Sequence, residues 1–195
     1  MLNKIILASK SKVRKEILDN NNILCDVEPS NIDEEIVKRS LINENATPEI
    51  ISKNLAELKA NKISLKKTDH IVLGADSVID LEGELISKPT SRSDAMYILN
   101  KLNGKVHYLI SSVCISKNGS MLWNYTEKAK LTMKNLSKNY LENYLSNISD
   151  ENLYAYNVYQ IEGKGRDLFS KIEGDEDTIM GLPIKQIKKY ISQHQ

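Results

Sequence analysis

Apolar positions along the chain follow two rhythms. Ile5-Ile6-Leu7 and Ile71-Val72-Leu73 are short unbroken apolar runs of the kind buried on both faces of a sheet, and Ile23 to Val27, closed by Pro29, predicts a further strand. Ile50, Ile51, Leu55, Leu58 and Ile63 instead recur at helical spacing after Thr47-Pro48, a cap followed by a first-turn proline. Ser91-Arg92-Ser93-Asp94 has the form of a capping box, and it opens a helix whose Ala95, Ile98, Leu99 and Leu102 face inward. Two hairpins are predicted: one turns at Glu82-Gly83 between Ile79-Asp80-Leu81 and Glu84-Leu85-Ile86, the other at Asn118-Gly119 between His107 to Ser116 and Met121 to Met133. Further helices are expected over Lys12 to Asp19, ended by Asn20-Asn21-Asn22, over Lys138 to Leu145 after Ser137, over Asp167 to Ile172, and from Pro183. Strands over Val158 to Ile161 and Thr178 to Met180 complete the reading. The sum is α/β with a mixed sheet. No repeat, linker or composition break divides residues 1–195, so one domain is expected, with room for two lobes around a cleft.

Charge narrows the partners. Lys and Arg number 27 against 26 Asp and Glu, so no global field draws the chain to a nucleic acid polymer or a membrane surface. The apolar run within MLNKIILASK is too short for the core of a signal peptide, and no segment approaches the ~20 apolar residues that span a bilayer. A soluble cytoplasmic protein is the expectation. Cys25 and Cys114 stand far apart without metal-ligand spacing and are read as small buried apolar residues.

Candidate chemistry gathers in Ile71 to Pro89. A buried strand running into Gly74, Asp76 and Ser77 puts a carboxylate and a hydroxyl at a strand's carboxyl end, where open α/β sheets bind ligands. The hairpin that follows brings Lys88 back towards it, with Pro89 holding Lys88 extended. Near the start, Ser9 and Ser11 form a hydroxyl loop before a helix whose first turn carries Arg14. A helix N-terminus with hydroxyls and a guanidinium suits a phosphate. Each feature also has a plain reading. Ser11 could be a helix cap with nothing bound, Asp33-Glu34-Glu35 a dipole complement in a loop or at a helix start, and Lys59 one more solvated lysine.

Three separated blocks share one pattern. LASKSKVRKEIL, GADSVIDLEGELISKP and EGKGRDLFSKIEGDEDTIMGLPI, joined by LAELKA and NGKVHYLISSV, resemble in order and spacing the signatures of the Maf family of nucleotide pyrophosphatases. The resemblance covers essentially the whole chain. It implies a twisted mixed sheet with flanking helices in two lobes around a nucleotide cleft, commonly as a homodimer. The implied reaction is hydrolysis of a nucleoside triphosphate between its α- and β-phosphates to a monophosphate and pyrophosphate, with Mg²⁺ or Mn²⁺. By position, Ser9, Ser11 and Arg14 fall on the family's phosphate loop, Asp76 on its catalytic carboxylate, and Glu34, Lys59 and Lys88 on the charged positions that complete the site. Because Mg²⁺ keeps several waters, Asp76 with Glu34 would suffice to hold it.

This chain departs from the family where the loop has Lys12 and Val13 in place of proline and an aromatic or basic residue. Glu162-Gly163, followed by Gly165 and Leu168-Phe169, looks more like the branch acting on 7-methylguanosine triphosphate than the one acting on dTTP and UTP. Two roles stay open for Glu162: reading a cationic base, or binding metal or a lysine. The family's link to septation arrest supplies a rival to catalysis, a nucleotide-binding regulator of little turnover. No GxxxxGK[ST] or GxGxxG motif supports a kinase or dehydrogenase.

Overall fold

The structure, a computed structural model, describes residues 5–155 and 157–194. The first four residues of the amino-terminal stretch lie outside the described residues. Strand β1 (Ile5–Leu7) leads through a short loop to α1 (Lys12–Asn20), β2 (Cys25–Val27), α2 (Glu34–Asn43) and α3 (Pro48–Lys66). Strands β3 (Val72–Leu81) and β4 (Glu84–Ile86) form the first hairpin. After α4 (Arg92–Leu102), β5 (Val106–Lys117) and β6 (Ser120–Met133) form the second. The remainder is α5 (Lys138–Ser146), α6 (Asp150–Ala155), a 3₁₀ turn at Lys164–Leu168, β7 (Phe169–Glu173), α7 (Glu176–Ile179) and α8 (Ile184–Gln193).

The seven strands make one mixed sheet in the order β2-β1-β3-β5-β6-β7, with β4 also on β3. β1 is parallel to β2 and β3, while β3, β5, β6 and β7 run antiparallel in succession. Both hairpin turns have two residues at positive φ, Glu82-Gly83 and Asn118-Gly119, the geometry that matches strand twist.

Strand alternation splits the core of this half in two. Ile6, Ala8 and Val72 pack with Ala56, Ala60 and Ile63 of α3, whereas Ile5, Leu7, Leu73 and Ala75 pack with Ile17 and Leu18 of α1 and Ile184 and Ile187 of α8. A third cluster gathers Ile79, Leu81, Ile86, α4, α5 and the far ends of β5 and β6 into the second lobe. The stripe of α3 is shifted from the expected one. Ile50 and Leu58 are exposed, and Ile51, Leu55, Ala56, Lys59, Ala60 and Ile63 face the sheet.

Four segments differ from the sequence-based expectation. β3 does not end at Asp76 and Ser77 but runs on to Leu81, because β5 pairs with it from Val72 to Asp80. Val158 to Ile161 is not a strand: it is buried among side chains without joining a ladder. The stretch read as a helix over Asp167 to Ile172 is a 3₁₀ turn and then β7, which pairs with β6. Thr178 to Met180 belongs to the short α7 and its cap instead of a strand. Among the described residues no helix is long and apolar enough to cross a membrane. Cys25 and Cys114 are both buried in the core.

The second lobe buries a histidine. His107 is fully enclosed, and its Nε2 lies 2.8 Å from the Tyr159 hydroxyl, with Phe169 against the ring. Burial pulls its pKa down to about 4 from 6.5. The unfolded chain therefore binds the extra proton first, so the stability His107 contributes is present above about pH 6.5 and is lost as pH falls towards 4. At about 1.4 kcal/mol per pH unit this amounts to on the order of 3 kcal/mol. Denaturant titrations from pH 7 to 4 should show a shallower loss in His107→Gln than in the unsubstituted protein; equal slopes would remove His107 as the cause.

Candidate functional site

The recess between the two lobes opens where the sheet has a gap. β1 covers one edge of β3 only at Val72 and Leu73, and β4 takes up that edge again at Ile79, so among the described residues Gly74 to Val78 of β3 have no strand on that side. Asp76 sits in this interval. It is thus placed by the carboxyl end of β1 and not by the end of its own strand. The recess encloses about 1300 Å³ and is lined by all eight residues singled out from the sequence: Ser9, Ser11, Arg14, Glu34, Lys59, Asp76, Lys88 and Glu162.

On the α3 side of β3, Lys59 reaches Asp76. Gly74 permits this, since a Cβ there would stand 2.2 Å from the carbonyl oxygen of Ala56 and 2.7 Å from the amide of Ala60. The Lys59 ammonium is 2.7 Å from Asp76 Oδ1 and 2.9 Å from Glu34 Oε1. Glu34 comes from the first turn of α2, which Asp33 caps by accepting from the Ile36 amide. Asp76 Oδ2 is buried and has no hydrogen-bond partner among the described residues. Burial pushes the Asp76 pKa up, Lys59 opposing this and Glu34 adding to it. Glu34 is also pushed up by burial, but Lys59, with Lys38 and Lys88, outweighs that and holds it below the usual range.

On the other side the loop Ala8 to Ser11 turns into α1. Ser9 Oγ accepts from the Ser11 amide at 3.3 Å and from Arg14 Nη1 at 3.1 Å, which leaves its O–H as a donor. Ser11 caps α1 by accepting from the Arg14 amide. The amides of Lys12 and Val13 then precede the first intrahelical bond, as at any helix N-terminus. Lys12 occupies the first helical position that proline holds in the family pattern. Lys88 lines the recess on the segment after β4, its pKa lowered by desolvation first and by Arg14 second. Glu162 is exposed and lines the recess, next to the buried Ile161.

Arg14 is more engaged than the sequence suggests. Its guanidinium donates to Gly181 O at 2.9 Å, Ala75 O at 3.0 Å, Ser77 Oγ at 3.0 Å and Ser9 Oγ. Gly181 and the buried wall residue Tyr159 were not foreseen, because the sequence offers no local signal for contacts made across the fold.

The recess carries six cations, Lys10, Lys12, Arg14, Lys38, Lys59 and Lys88, against seven carboxylates. A polyanion entering it therefore meets no net positive field.

A family model described as Maf-like protein matches residues 4–194. A nucleoside triphosphate pyrophosphatase of Pelagibacter ubique is 71% identical over 98% of both chains. A 7-methyl-GTP pyrophosphatase of Brucella abortus is 38% identical, covering 93% of this chain and 91% of that one. Among solved structures, a HAM1 protein from Coxiella burnetii aligns with a TM-score of 0.47 and 15% identity over 71% of this chain and 76% of that one.

The buried charge cluster makes a testable demand. With Lys59→Met, Asp76 keeps its burial and loses its cation, so unfolding free energy at pH 7 should fall by about 3–5 kcal/mol. The Asp76 carboxyl, already raised by burial, rises further in the variant, and a raised carboxylate costs stability that grows as pH climbs from its unfolded to its folded pKa and is absent below both. Acidification should thus shrink the deficit. A deficit of constant size from pH 7 to 4.5 would mean lost packing, not a stranded charge.

Proposed function

The chain belongs to the Maf-like family, and from that premise we propose that it is a nucleoside triphosphate pyrophosphatase releasing a monophosphate and pyrophosphate. The observation that carries this reading is the buried Asp76 Oδ2, without a hydrogen-bond partner among the described residues, beside Lys59 in a recess that a helix N-terminus with hydroxyls also lines. A buried acceptor without a donor is costly unless a ligand satisfies it. Water poised for hydrolysis is such a ligand, and a carboxylate with its pKa pushed up is the stronger base for it.

In this reading the triphosphate lies across the gap in the sheet. The Ser9 hydroxyl, the first amides of α1 and Lys88 hold its oxygens, and Asp76 accepts the proton of the attacking water as the α–β bridging P–O bond breaks. Lys59 keeps Asp76 oriented and ionised by balancing it against Glu34. The donor set fits a divalent cation: Asp76 offers an oxygen free of hydrogen bonds, Glu34 lies across Lys59 from it, and the carboxylate surplus favours a substrate that brings positive charge. Asp76 and Glu34 would hold Mg²⁺ or Mn²⁺, which supplies charge neutralisation at the phosphates.

For the base, we favour 7-methylguanine. Support comes from Glu162, whose carboxylate could accept N–H groups and offset the cationic ring, and from the name of the Brucella relative.

With Mg²⁺ or Mn²⁺, the protein should release pyrophosphate from a nucleoside triphosphate in a coupled assay; orthophosphate alone would reject the reaction. Asp76→Asn should abolish turnover while metal-free nucleotide binding persists, and turnover at the unsubstituted rate would remove Asp76 as the base. Glu162→Gln should narrow the kcat/KM preference for 7-methyl-GTP over dTTP and UTP by about 1–3 kcal/mol. A uniform slowing of all three would place Glu162 at the phosphates or metal.

A further inference from the structure

We propose that Arg14, with Ser77 and Gly181, is a positioning clamp that holds the phosphate loop in register with Asp76, and that its guanidinium is not itself the main phosphate ligand. This rests on the pyrophosphatase reading of the recess.

A guanidinium has five N–H donors. Arg14 directs four of them into the protein, to Ser9 Oγ, Ala75 O, Ser77 Oγ and Gly181 O, so a single Nη2 proton is left for any ligand. Two of these acceptors explain why the clamp stands where it does. Ala75 O lies on the stretch of β3 that no strand covers, and Arg14 supplies there the donor that a neighbouring strand would supply. Ser9 Oγ belongs to the phosphate loop, so one planar group ties that loop to β3 one residue from Asp76.

The bond to Ser77 extends into a chain with a fixed direction. Ser111 Oγ donates to Thr178 O at 2.7 Å, which uses its one proton. The 2.9 Å contact between Ser77 and Ser111 must then run from the Ser77 hydroxyl to Ser111 Oγ, and Ser77 is left to accept from Arg14. The order Arg14 to Ser77 to Ser111 to Thr178 crosses β3 and β5 and ends on α7. Gly181, after α7, closes the ring by accepting from Arg14 Nε. A side chain does not fit at Gly181: its φ is +101°, and a Cβ would stand 3.0 Å from Ser77 Oγ and 3.3 Å from two Arg14 nitrogens. The turn after α7, 167 residues from Arg14, is thereby fastened to the phosphate loop.

Ser77→Ala removes the acceptor of Arg14 and the donor of Ser111 together, while Ser77→Thr restores the hydroxyl. In Ser77→Ala, kcat should fall by about tenfold or more with KM changed by less than about threefold, the signature of a site held slightly out of place. Backbone hydrogen exchange of the nucleotide-free protein should accelerate in both 9–14 and 178–182. Ser77→Thr should return kcat and exchange to near the unsubstituted values. Unchanged exchange in Ser77→Ala would overturn the clamp. Faster exchange with unsubstituted kcat, a rise in KM alone, or no recovery in Ser77→Thr would overturn its positioning role. If the unsubstituted protein released no pyrophosphate, the reading of the site would fall, and with it the catalytic part of the proposal, while exchange would still decide whether the clamp exists.

Discussion

The seating of Lys59 on Asp76 is the constraint on which the rest depends. Two helix residues and one strand residue allow it: Ala56 and Ala60 are small, and Gly74 lets the backbone of α3 come within what would be clashing distance of any side chain on β3. A buried ion pair is weak support for stability, since desolvating both charges consumes most of the Coulomb attraction. Its retention at the floor of the recess points instead to use. The pair holds one carboxylate oxygen in place and leaves the other with no partner among the described residues.

The sheet topology supplies the opening. Parallel pairing of a three-residue β1 with a ten-residue β3 leaves the middle of β3 bare, and the loop leaving β1 enters that space carrying Ser9 and Ser11. The Ser9 to Ser11 loop and the Asp76 carboxylate therefore lie on neighbouring strands, held together by strand pairing and by Arg14. α2, which brings Glu34, buries none of its residues and meets the site through the Glu34 to Lys59 contact.

Much of this was legible from local chemistry. Helix caps at Ser11, Thr47, Ser91 and Ser137 and the two positive-φ hairpin turns are local signals, and all lie where the residues imply. What failed depends on distant partners. Asp76 and Ser77 read as a strand's end because both are poor strand residues, yet β5 pairing carries the strand through them. Val158 to Ile161 is apolar enough for a strand but joins no ladder among the described residues, and Phe169 to Glu173 pairs with β6. Lys59 left a signal that went unread: it stands midway between Leu55 and Ile63, four residues from each, on the buried face of α3, where a lysine must have a partner. The reach of Arg14 to Gly181 has no local trace at all.

The central claim is that Asp76, whose Oδ2 has no hydrogen-bond partner among the described residues, anchors the cation that accompanies the nucleotide as well as the attacking water. Calorimetric titration with a triphosphate analogue carrying a methylene bridge between its α- and β-phosphates measures this without turnover. With Mn²⁺ present, the analogue should bind the unsubstituted protein at least about tenfold more tightly than without it, and Asp76→Asn should lose that gain. The same Mn²⁺-dependent gain in both proteins would contradict the account.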